Sequence, residues 1–182
     1  MKKDEESRLD FIAPRIYPRD TIPFAVELRL SGPIADIPSL KNSKIPGTNF
    51  INPATLSKLK ALDFAWARAE NKAWFKGFGA RKVFVGVVFR KRGRAFDTDN
   101  AFATVRDWLE PRTKKVGRGG KRAWGIGLIE NDSQVIGFGV KAEELELETR
   151  QTSIIVADWE RFKGGLIPGF RQLLTLNETG RK

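Results

Sequence analysis

Lys82-Val83-Phe84-Val85-Gly86-Val87-Val88-Phe89 is the stretch on which the fold turns. Its β-branched and aromatic residues fit a pleated sheet better than a helix surface, and they predict a central strand. The strand runs straight into a cationic cluster, Arg90-Lys91-Arg92-Gly93-Arg94. Ala95-Phe96-Asp97-Thr98-Asp99-Asn100 then leads into a helix reaching about Glu110, with Phe102, Val105, Trp108 and Leu109 as its buried stripe.

Working outward, Thr21 to Leu30 alternates in part. Phe24, Val26, Leu28 and Leu30 share one parity, with Glu27 and Arg29 on the other, which predicts a half-buried strand. Gly32 to Asn52 carries Pro33, Pro38, Pro46 and Gly47 and reads as a long loop. Pro53 opens a helix at its first turn with Asn52 as N-cap, and Leu56, Leu59, Ala61, Leu62, Ala65, Trp66 and Ala69 mark its apolar face toward Trp74. Downstream, Pro111 to Arg122 is Gly-rich and basic, a mobile loop by composition. Trp124 to Ile129 and Gln134 to Lys141 read as a strand pair around the turn-like Glu130-Asn131-Asp132-Ser133. Ala142 to Glu148 is a short acidic patch, and Thr152 to Ala157 is a last strand. The order predicts an α+β fold: a mixed β-sheet with two main helices packed on one face. Residues 1–20 read as an irregular N-terminal arm, 21–160 as the domain and 161–182 as a tail.

Composition narrows the chemistry. The 182 residues include 13 Phe and 5 Trp, enough apolar material for a core. Trp66, Trp74, Trp108 and Trp124 recur at helix or strand spacing, which assigns them to that core. No apolar run is long enough for a membrane helix, and Met1 to Glu6 is charged rather than apolar, so a cytoplasmic protein is expected, with no membrane partner. With no Cys and no His, disulfides, zinc fingers, thiol nucleophiles and imidazole bases are excluded. Any metal must be held by oxygen, which favours Mg²⁺ or Mn²⁺. The net charge of +11 points to a polyanionic partner, with nucleic acid ahead of a merely solubilising surface.

Asp97-x-Asp99-Asn100 is the most chemical-looking motif. Carboxylates two apart in extended backbone point to the same side and can hold a hard cation beside a helix N-terminus. The competing reading is plain: Asp and Asn before a helix are ordinary caps. Asp132, with Glu130 at the same parity, offers a second acidic cluster, for which a hairpin turn is the rival explanation.

Taken in order, these elements resemble the RusA family of Holliday junction resolvases. That family carries a basic strand end, then D-x-D-N opening a helix, then an acid followed by x-Q-V, then a Lys. The counterparts here are Arg90 to Arg94, Asp97-Thr98-Asp99-Asn100, Asp132-Ser133-Gln134-Val135 and Lys141. The family's Pro-Ser-x-x-Asn loop matches Pro38-Ser39-Leu40-Lys41-Asn42. The resemblance covers roughly residues 22 to 157. It implies a RusA-like fold and a homodimer that binds four-way junctions or other branched DNA. It also implies Asp97, Asp99 and Asp132 as catalytic, Mg²⁺-binding acids, with Asn100 supporting the site or capping the helix.

One departure stands out. The family's Lys three residues after the Asn is Ala103 here. Arg106 can replace it: seven residues after Asp99, it lies about 20° from the same helix face and roughly 10 Å along the axis, and its fork suits phosphate. A cation from the loop (Lys114, Lys115, Arg118, Lys121, Arg122) is the other candidate, and Arg106 as an ordinary solvated residue is the third reading. Arg90, Lys91, Arg92 and Arg94 are expected to clamp backbone phosphates, with Lys41, Lys44 and Lys141 in the same role. Phe96 is a core anchor or a wedge between bases, the core anchor being the expectation. The rival to the nuclease is a non-catalytic basic protein that binds nucleic acid, junctions included.

Overall fold

The computed structural model describes residues 11–19, 22–40, 43, 51–69, 77–91, 97–112, 115–116, 120–121, 124–144 and 150–162. The fold is α+β. The main sheet has five strands: β1 (Phe11–Arg19), β2 (Ile22–Ser31), β3 (Val83–Lys91), β6 (Val135–Glu144) and β7 (Gln151–Asp158). Their order is β1-β2-β7-β3-β6. The sheet is mixed: β3 and β6 run parallel, while β7 is antiparallel to both β2 and β3. A separate small hairpin joins β4 (Lys115–Val116) and β5 (Gly120–Lys121). The helices are α1 (Pro53–Arg68), α2 (Thr98–Leu109) and the single turn α3 (Trp159–Phe162).

The reason β3 reads as unbroken apolar sequence is now visible. Every residue from Val83 to Phe89 is buried, so neither face of the strand meets water. Val83, Val85, Val87 and Phe89 join Ile154 and Val156 of β7 and Val26, Leu28 and Leu30 of β2 on one face. Leu59, Leu62 and Ala65 of α1, and Phe102, Val105, Trp108 and Leu109 of α2, pack on that same face. Both main helices therefore lie on one side, as expected. Each fully buried large side chain contributes about 1.5–3 kcal/mol. Phe84, Val88 and Ile155 are buried on the opposite face, where Trp159 lies across Phe84 and Gly137. A Cβ on Gly137 would come within 2.8 Å of the Trp159 ring, so the close approach requires glycine.

Three expectations are corrected. The first ten residues lie outside the described set, but the expected irregular arm is a strand from Phe11 to Arg19, paired with β2. The strand includes Pro14 and Pro18. An edge strand tolerates proline because its outward backbone groups need no ladder partner.

The Gly-rich loop after Pro111 contains the β4–β5 hairpin, with Lys115 paired to Lys121. Trp124 to Ile129 does not pair with β6. Its backbone instead caps α2: Ile126, Gly127 and Ile129 donate to the carbonyls of Trp108, Glu110 and Leu109. Those carbonyls have no partner within the helix, and that demand outweighs a hairpin. β6 pairs with β3 instead.

Candidate functional site

Asp97 is the N-cap of α2. Its Oδ1 accepts the Asn100 backbone N–H at 3.0 Å, and its other oxygen accepts from the Asn100 side-chain amide. Asp99 is already in the first helical turn and is exposed. The expectation that both carboxylates project from extended backbone to one side is thus corrected: capping takes Asp97, and helix begins before Asp99. Both acids still sit at the positive end of the helix dipole, where negative charge is favoured. Thr104 ties the Pro38-Ser39-Leu40 segment to this helix, its Oγ1 accepting the Leu40 N–H at 3.1 Å. Lys41 and Lys44 lie outside the described residues.

Asp132 belongs to the other end of α2. It opens a short 3-10 turn, Asp132–Gln134, immediately before β6. Gln134 organises this turn and is 4% exposed. Its Oε1 accepts the N–H groups of Glu130 and Asn131 at 2.6 and 3.0 Å. Its Nε2 donates to the carbonyls of Arg81, at 2.7 Å, and Gly79. The Gln of the D-S-Q-V motif is therefore structural. The Asp132 N–H donates to Glu110 Oε1 at 2.6 Å, and Arg106 Nη2 stands 3.9 Å from Asp132 Oδ2.

Topology explains the separation. Asp97 and Asp99 follow the C-terminal end of β3, whereas Val135, just after Asp132, pairs with Val83 at its N-terminal end. Helix α2 carries the chain between the two ends. Asp99, Phe102 and Arg106 share one stripe of it, with Arg106 roughly 10 Å along the axis from Asp99. The fold therefore brings Asp132 to Arg106, on the helix that bears Asp97 and Asp99. Among the described residues, no group of three or more acidic side chains is gathered for a metal ion. Arg106 also lies over the Phe102 ring, 5.9 Å from its centroid, and its buried Nε has no hydrogen-bond partner among the described residues.

The cations expected to grip phosphate are distributed differently from the acids. Arg90 and Lys141 share a strand parity that places them on the sheet face turned away from α2. Both engage Glu143 there, at 2.7 and 2.8 Å, and Arg90 also donates to Ser153. Burial pushes the Glu143 carboxyl up, but hydrogen bonds and charge from Lys141 and Arg90 outweigh that and hold its pKa below the usual value. Lys91 closes β3, and Lys115 and Lys121 sit in the β4–β5 hairpin. Arg92, Arg94, Phe96, Lys114, Arg118 and Arg122 lie outside the described residues, as does Trp74.

Of the four buried acids among the described residues (Glu27, Asp63, Glu110 and Asp158), two stand at the C-terminal end of α2. Asp63, 4% exposed, accepts from Trp108 Nε1 at 3.0 Å and from the Gly125 N–H at 3.1 Å, and pairs with Arg112 at 3.2 Å. It thereby joins α1 to α2 and to both flanks of the basic hairpin. Gly125 has a φ of +129°, and a Cβ there would collide with the Glu110 carbonyl. Glu110, 1% exposed, is the second acid. Asp63 was legible in principle, because it falls four residues after Leu59 on the apolar face of α1. Glu110 ends α2 before Pro111 and carries no such signal.

No protein-family model matches this chain, and no curated protein matches it either. No described helix is long and apolar enough to cross a membrane.

Proposed function

We propose that this chain is a RusA-like, divalent-metal-dependent endonuclease that cuts four-way or other branched DNA, acting as a homodimer in the cytoplasm. The observation that carries the reading is Arg106 holding Asp132 at 3.9 Å on the helix whose N-terminus bears Asp97 and Asp99. Asp97 and Asp99 thus stand at one end of α2, and Asp132, from the turn before β6, meets the same helix at Arg106. The three acids offer only carboxylate oxygen, which suits Mg²⁺ or Mn²⁺. Asp97 and Asp99 would hold the cation, which would supply a Lewis acid for a phosphodiester oxygen and its attacking water. Asp132 is exposed and its ion pair is long, so it restrains Arg106 only weakly. Arg106 then presents its fork to the charge developing on phosphorus. The net charge of +11 supplies the sequence-independent grip on DNA.

The test is cleavage of a synthetic four-way junction with Mg²⁺ or Mn²⁺. Wild type cuts, Asp97→Asn and Asp99→Asn abolish cutting, and Arg106→Ala lowers the rate at least a hundredfold. Cutting that survives both Asn variants removes the assignment. A second reading is favoured by the two helical turns between Asp99 and Arg106: a non-catalytic nucleic-acid-binding protein whose acids serve as caps. Tight junction binding with no cutting under either metal would establish it.

A further inference from the structure

An exposed aromatic lies beside this helix. Phe138 of β6 is 64% exposed, although it sits on the sheet face that carries α2. Its ring stacks on Phe102, with centroids 5.0 Å apart and planes inclined by 26°. Phe102 is 6% exposed and belongs to the core, so the stack rests on a rigid base. Arg106 flanks Phe102, and Ile136, two residues before Phe138, is 45% exposed. A largely exposed ring stacked on a buried one, in a pair whose inner ring also carries a cation, can receive another flat, apolar face.

We propose that Phe138 is a stacking platform for an unpaired nucleobase, seated where the strand passes between Asp99 and Arg106. The inference rests on the DNA-branch reading and names the feature of the branch that is read. Bases within a duplex are already stacked, so a platform of this kind engages a base that loses its stacking neighbour at a branch and can leave its pair. Charge complementarity selects this occupant. A chain of net charge +11 attracts a nucleic-acid strand. Two exposed apolar side chains also fall far short of the roughly 20–30 residues a side that a stable protein interface uses.

The experiment uses the full chain and a four-way junction with 2-aminopurine at the branch, alongside a fully paired duplex. Binding is followed by fluorescence without divalent cation, so that no cutting intervenes. Phe138→Ala is expected to weaken junction binding about tenfold, as loss of one stacked base would. It should abolish the 2-aminopurine change and leave duplex affinity as in wild type. Phe138→Trp should restore both signals, which a purely structural role would not do. Unchanged junction binding by Phe138→Ala overturns the proposal. So does an equal loss on duplex, or a change of oligomeric state on sedimentation. Junction cutting by wild type with an indifferent Phe138→Ala sinks this inference alone. A Phe138-dependent base signal in a wild type that never cuts sinks the nuclease reading and supports the platform.

Discussion

The two ends of α2 are built on opposite terms. At the N-terminal end, Asp97 makes local capping bonds to Asn100, and Asp99 projects into solvent. At the C-terminal end, Asp63, Glu110 and Gln134 are buried and gather N–H groups from three stretches of chain, at Trp108, at Gly125 and from Glu130 to Asp132. A buried carboxylate is tolerated only when its oxygens are satisfied, so the second end is a structural clasp. An exposed carboxylate retains lone pairs for a ligand, so the first end is the one available for chemistry. Asp132 and Arg106 lie at the boundary: the Asp132 backbone is held by the clasp, while its side chain is exposed.

The sharpest way to break this contrast is Asp63→Ala. It strands the Trp108 and Gly125 N–H groups and leaves Arg112 unpaired, and the expected loss is about 3 kcal/mol by urea unfolding. A loss below about 1 kcal/mol would mean that the C-terminal end is not a clasp. The next effect is at the cap: Asp97→Ala should cost about 1 kcal/mol, whereas Asp99→Ala should stay within about 0.5 kcal/mol. Equal losses at the two positions would show Asp99 to be structural as well.

The smallest effect concerns the far face of the sheet, where Glu143 joins Arg90 and Lys141. Its folded pKa lies below its ordinary value of 4.5, so its ionised form favours folding. That contribution is fully present above 4.5 and is lost as pH falls through the lower folded value. Glu143→Gln should therefore be less stable than wild type at neutral pH, with the gap closing in acid. A gap independent of pH would assign the loss to packing.

Much of the fold was readable residue by residue. Asn52 and Pro53 start α1, and the Asn52 side chain accepts the Ala54 N–H as expected. Val83 to Phe89 is the central strand, and Phe102, Val105, Trp108 and Leu109 are the buried stripe of α2. These signals are local, since periodicity and capping depend on neighbours within a turn or two. The misread segments involve distant partners. Phe11 to Arg19 is a strand because β2 offers an edge, and Trp124 to Ile129 is claimed by the open carbonyls of α2. Gln134 looked like part of a functional motif, and only its four bonds mark it as the organiser of a turn.

By itself, the order of residues determined the α+β class, the absence of thiol and imidazole groups, the strong positive charge and the acids worth testing. The tertiary structure decided where those acids stand: Asp97 and Asp99 at one end of a helix, Asp132 near the other, Arg90 and Lys141 behind the sheet. The physical reason is that spacing along a chain sets which face a side chain takes within its own element. The parallel register of β6 on β3, and the length of the helix between them, set which elements meet.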